Sequence, residues 1–119
     1  MQKRILSIVL FSLFFVLYAN AEEVKNLKIK DIYTQYKNLI NQTIQIEGNV
    51  TKVMPHILDK TWVHVRDGSG VDKKTEELKF ITTEKNNIPI TGDQVIAKGI
   101  VTFDKTFGLI IKDASFVIK

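Results

Sequence analysis
The sequence predicts an all-β domain led by one helix and closed as a small five-stranded Greek-key barrel. Three observations carry this expectation. The apolar period is helical as far as Gln42 and then changes to two. Five stretches with that shorter period follow, divided by turn residues such as Asp67-Gly68-Ser69-Gly70 and Thr91-Gly92-Asp93. Glycines interrupt two of the stretches, at Gly48 and Gly99, where a strand serving two sides of a small barrel has to bend. Closure also removes the exposed edges that an open five-stranded sheet would present.

Residues 1–21 form a separate unit. Lys3 and Arg4 precede an apolar run from Ile5 to Leu17, broken only by Ser7 and Ser12. Ala19-Asn20-Ala21 is a small-x-small site before the acidic Glu22-Glu23. This is the three-part pattern of a cleavable export signal, with Ala19 and Ala21 at the cleavage site. The run is about thirteen residues, short of the roughly 20 that a spanning helix requires. The expectation is a periplasmic protein cut after Ala21, with no membrane anchor afterwards.

Loss of Lys3 and Arg4 changes the charge. The full chain has 17 basic and 13 acidic residues and a net charge of +4. Without those two the excess falls to two, and Arg66 is the one arginine left. A near-neutral domain does not favour a polyanionic partner such as nucleic acid. The chain has no cysteine, which excludes disulfides, thiolate metal sites and lipid attachment through a lipobox cysteine. Stability has to come from packing.

Residues 22–28 read as a mobile lead-in, and residues 29–119 as the barrel domain. Lys25, Lys28 and Lys30 are read as a solvated cluster before Asp31. Ile29, Ile32, Tyr36, Leu39 and Ile40 make one apolar stripe on a helix from Ile29 to Gln42. Asp31 suits the positive end of its dipole. In the first strand, Ile44, Ile46, Gly48 and Val50 alternate with Gln45, Glu47, Asn49 and Thr51. Pro55 argues against a central strand, so residues 54–60 are expected to form a loop. The second strand spans Thr61 to Asp67, with Val63 and Val65 on one face and Trp62, His64 and Arg66 on the other. Residues 71–77 read as a charged surface excursion, since Lys73-Lys74 and Glu76-Glu77 cancel. The third strand spans Leu78 to Thr83. The fourth runs from Gln94 to Phe103, with Val95, Ala97, Gly99, Val101 and Phe103 expected inward. Asp104-Lys105-Thr106 turns the chain into a last strand, kinked near Asp113.

The motifs taken in order carry a resemblance. They are Gly48-Asn49-Val50-Thr51-Lys52-Val53, then Trp62 to Gly70, Thr82-Thr83, Gly92 to Gly99, and Asp104-Lys105-Thr106-Phe107-Gly108. The series covers nearly all of the chain after Ala21. It resembles OB-fold proteins, both the nucleic-acid-binding OB domains and, more closely, small exported bacterial proteins sometimes called NrfJ-like, which accompany periplasmic redox enzymes. The resemblance implies an OB barrel and no particular ligand. An SH3-like barrel is the alternative, with shorter strands and no leading helix of this kind.

Two sets of residues could carry function. Trp62, His64 and Arg66 share the outer face of the second strand, on the side where OB barrels usually hold ligands. An exposed tryptophan beside a cation can stack a ring. The competing expectation is that the amino-terminal helix or the Pro55 loop covers Trp62, because tryptophan is on average highly buried. The second set is Met54, His56 and His64, whose thioether and imidazoles suit Cu(I). It resembles in part the Met, His and Trp set of small periplasmic OB-fold copper chaperones, which use more than one methionine. Catalytic motifs are not found: there is no paired-histidine helix, nucleophile elbow or phosphate-binding glycine loop. Asp67, Asp93, Asp104 and Asp113 are read as turn residues. The expectation is a non-enzymatic exported binding module without a cofactor. It would engage a protein partner or a small extended ligand through Trp62, His64 and Arg66. A Cu(I) carrier and an oligonucleotide binder are the alternatives.

Overall fold
The computed structural model describes residues 23–72 and 75–119, so the expected export signal lies outside the described residues. In chain order the elements are β1 (Val24–Asn26), α1 (Ile29–Leu39), β2 (Thr43–Ile57), β3 (Lys60–Arg66), β4 (Glu77–Thr82), β5 (Gln94–Asp104) and β6 (Gly108–Ile118). The five strands expected from the sequence are β2 to β6. They pair in the order β2-β3-β4-β6-β5, and β5 returns to β2 to close the ring. This is an OB-type barrel with a single short helix among the described residues.

β2 makes closure possible by pairing on both sides. Its first half, Thr43 to Asn49, runs antiparallel to β5, and its second half, from Asn49 onward, runs antiparallel to β3. The bend between the halves falls near Gly48. A Cβ there would lie 2.6 Å from the carbonyl oxygen of Arg66 and 2.9 Å from Val65 Cγ1. Gly99 plays the same part on β5, against Ile111 and the Lys112 carbonyl. Opposite it, the register of β5 and β6 slips between Lys98 and Ile100. Asp113 has φ +50° there, which is the expected kink.

The inward residues follow the period of two. Ile44, Ile46, Val50, Val63, Val65, Leu78, Phe80, Val95, Ala97, Val101 and Ile111 are all buried in one core. α1 adds Ile29, Ile32 and Leu39 to it. The helix ends at Leu39, earlier than the expected Gln42, because Asn41 turns left-handed at φ +66° and gives its N–H to the Val101 carbonyl.

Three further expectations are corrected. Pro55 lies inside β2, where the pairing with β3 is irregular between Met54 and Ile57; a proline needs no ladder partner at such a site. Phe103 does not point inward. It is 55% exposed and stacks on Tyr36 of α1, with ring centroids 5.6 Å apart. Val24–Asn26, within the expected lead-in, pairs parallel to Thr43–Gln45 of β2.

The start of α1 is held by a distant turn. Ile29 N donates to Asp67 Oδ2 at 2.8 Å and Lys30 N donates to Ser69 Oγ at 3.0 Å. The other carboxylate oxygen of Asp67 accepts from Ser69 N at 3.0 Å and from Ser69 Oγ at 2.6 Å. The Asp-Gly-Ser-Gly turn is therefore the N-terminal cap of a helix far away in sequence. It positions α1 against the barrel and leaves the outer face of β3 and β4 uncovered by the helix.

Candidate functional site
The register of β2, β3 and β4 lays the outer face out in rows. Lys52, His64 and Lys79 face one another across the three strands in one row, and Met54, Trp62 and Ile81 do so in the next. β2 carries an extra residue at Thr51, between the Val50–Val65 and Lys52–His64 pairs.

Trp62 is not an open stacking platform. It is 5% exposed and packs with Ile81 and Ile110, flanked by Met54 and Ile57. Phe107, in the turn between β5 and β6, covers it edge-on with centroids 4.7 Å apart. The turn is fixed by Asp104, whose Oδ1 accepts from Thr106 N at 2.7 Å and Phe107 N at 3.0 Å. The cover comes from the Pro55 segment and the β5–β6 turn, with no part played by α1. The outer face thus carries a second, smaller apolar cluster on the opposite side of the sheet from the main core.

His64 sits beside this cluster with its side chain 14% exposed. Its Nδ1 lies 2.5 Å from Glu77 Oε1, and Glu77 Oε2 accepts from Thr51 Oγ1 at 3.1 Å. With both carboxylate oxygens engaged, the imidazole is oriented from behind, Nδ1–H toward the carboxylate. Its Nε2 is buried with no hydrogen-bond partner among the described residues, and the same holds for Trp62 Nε1. Such atoms cost about 1–3 kcal/mol each when left unserved.

Met54, Ile57, Trp62, His64, Lys79 and Phe107 line one depression of about 240 Å³. Lys79 Nζ lies 3.5 Å from the Phe107 carbonyl oxygen at its rim. The lining of the depression is apolar apart from the Lys79 ammonium, and the unpartnered nitrogens of the Trp62 and His64 rings are buried.

The sequence-predicted residues divide. Trp62, His64 and Met54 come together. Arg66 turns away, half exposed, and pairs with Glu76 at 2.6 Å. It lines a different, polar hollow with Glu47, Asn49 and Gln94. His56 stands apart as well, at φ +63°, and lines a cleft between the β2–β3 turn and residues 82–90. Met54, His56 and His64 therefore do not line one cavity. Among the described residues, no three His, Asp or Glu side chains gather to hold a metal ion. No helix of the described residues is long and apolar enough to cross a membrane.

Glu77, Lys79 and Phe107 were missed by sequence reasoning. Phe107 lay in view within the Asp104–Gly108 motif. Glu77 and Lys79 had no such signal, because only the β3–β4 register brings them beside His64. Comparison with protein-family models and with curated proteins returned no match for this chain.

Proposed function
We propose that this protein is a non-enzymatic, exported binding module whose ligand surface is the outer face of β3 and β4, centred on the depression between Trp62, His64 and Phe107. One observation carries the reading. Two buried ring nitrogens, Trp62 Nε1 and His64 Nε2, lie without partners beside one small apolar depression, and one of those rings is braced by a carboxylate. Buried polar atoms are normally paired, so each unpaired one calls for an explanation, and a bound ligand is one that would serve both rings together. In OB barrels, the strands equivalent to β3 and β4 carry the ligand contacts, flanked by the loops equivalent to the β2–β3 and β5–β6 turns. Met54 and Ile57 lie next to the first turn, and Phe107 belongs to the second. Export rests on the residue pattern before Glu22.

A fragment screen followed by amide chemical-shift mapping tests this reading. Shifts should concentrate at Lys52, Met54, Trp62, His64, Lys79 and Phe107. Shifts confined to the cleft beside His56, or to the hollow beside Arg66, would remove the assignment.

A further inference from the structure
We infer that the depression takes a small carboxylic acid with an apolar body, its carboxylate held by Lys79 and Trp62 Nε1 and its body by the apolar wall. This rests on the ligand face proposed above and names its ligand class.

The first argument is the kind of polar atom on offer. Lys79 brings three N–H bonds and no lone pair, and Trp62 Nε1 can only donate. His64 holds Nδ1 toward Glu77, and its second ring nitrogen lies buried without a partner. The residues lining the hollow thus bring the Lys79 ammonium and, just beneath the surface, the Trp62 N–H, and they include no carboxylate. A carboxylate is the small group that accepts several such bonds at once, and charge assistance makes them the stronger kind.

The second argument is charge. Lys52 and Lys79 stand on either side of His64 in the cross-strand row. A cation entering beside Met54 and His64 would meet the Lys79 ammonium, whereas an anion is drawn to it. This is why the thioether and imidazole do not decide for a soft metal ion.

The third argument is size and lining. About 240 Å³ walled by Met54, Ile57, Trp62 and Phe107 suits a compact aromatic or branched body and is too small for a polymer. The two ring nitrogens have no exposed surface, so the acid has to displace a covering side chain. Phe107, 40% exposed, is the most exposed side chain of the apolar wall and the one with room to rotate aside.

Trp62 is the only tryptophan, so its fluorescence reports the site directly. The purified protein is titrated with phenylacetate and with phenylacetamide, which has the same body without the charge. A saturable one-site response is expected, about tenfold tighter for the acid. Lys79→Met keeps the apolar stem and should cost the acid about tenfold while leaving the amide unchanged. Lys79→Arg should retain the preference, which separates loss of charge from loss of fold. Equal binding of acid and amide, or an unchanged preference in Lys79→Met, overturns the inference. Absence of any acid response also overturns it. If Ag(I) then quenches Trp62 saturably and Met54→Leu abolishes the quenching, the ligand is a soft cation, and the face survives while the acid does not. If the shift map places all binding elsewhere on the barrel, the face itself is wrong.

Discussion
The carboxylate of Asp67 caps α1 at Ile29, its Oδ2 accepting the Ile29 N–H at 2.8 Å across 38 residues of chain. The residue before the helix is Lys28, whose side chain cannot accept a hydrogen bond, so the cap has to come from elsewhere. Asp67→Ala should lower stability by about 1–2 kcal/mol. The loss should be visible in urea unfolding and as faster amide exchange in the first turn of α1. An unchanged exchange rate at Ile29 and Lys30 would contradict the capping role.

The turn between β2 and β3 carries strain. Leu58 and Asp59 both have positive φ, +52° and +61°, in a two-residue connection closed by the Ile57–Lys60 pair. Such a turn favours Asn-Gly, and a leucine there is unfavourable. Leu58→Asn with Asp59→Gly should therefore stabilise the protein by about 0.5–1 kcal/mol or more, read as a higher urea midpoint.

Gly48 admits the Arg66 carbonyl where a Cβ would lie 2.6 Å from it. Gly48→Ala should cost about 1–3 kcal/mol, since the obstacle is backbone and cannot rotate away. The same change at Gly99 meets the Lys112 carbonyl at 2.8 Å and should behave alike. Thermal unfolding of the two variants checks both.

Phe107 shields Trp62 from water. Phe107→Ala should move the Trp62 emission to longer wavelength and lower stability by about 1–2 kcal/mol. If emission stays where it is, the cover comes from Met54 and Ile57 alone.

Tyr33 gives a pH signature. Its hydroxyl donates to the Glu77 carbonyl at 2.6 Å, and burial, followed by the charges of Glu77 and Asp72, pushes its pKa above the usual value. The unfolded chain then releases this proton at lower pH than the folded one. Stability should fall as pH rises from about 10, and the effect should continue through the folded-state pKa. Tyr33→Phe should remove that part of the alkaline decline and cost about 1 kcal/mol at neutral pH.

The barrel was legible in the sequence because its strands are half-buried, and a period of two survives any tertiary arrangement. Ile44 to Val50 and Val95 to Val101 read directly as inward residues. Phe103 broke the pattern because α1 offers Tyr36 outside the barrel, which is a partner no strand period can foresee. Pro55 misled for a local reason: the rule against it assumes a regular ladder, and here the ladder is irregular. The site was half legible. Trp62 and His64 shared a face because they lie two apart on one strand, and Arg66 lay on that face too until Glu76 drew it aside. Glu77, Lys79 and Phe107 come from other strands and a turn, so their place depends on a pairing that no local pattern encodes.

The double pairing of β2 sets an order of events for folding. Its second half joins β3 through a two-residue turn, so that hairpin can form within microseconds. Its first half waits for β5, which lies beyond β3, β4 and the long connection after it. One strand thus takes part in both a local pairing and a distant one. Until β5 pairs with it, the edge from Thr43 to Gly48 lacks that partner, so a change that weakens β5 should open this edge to a second chain.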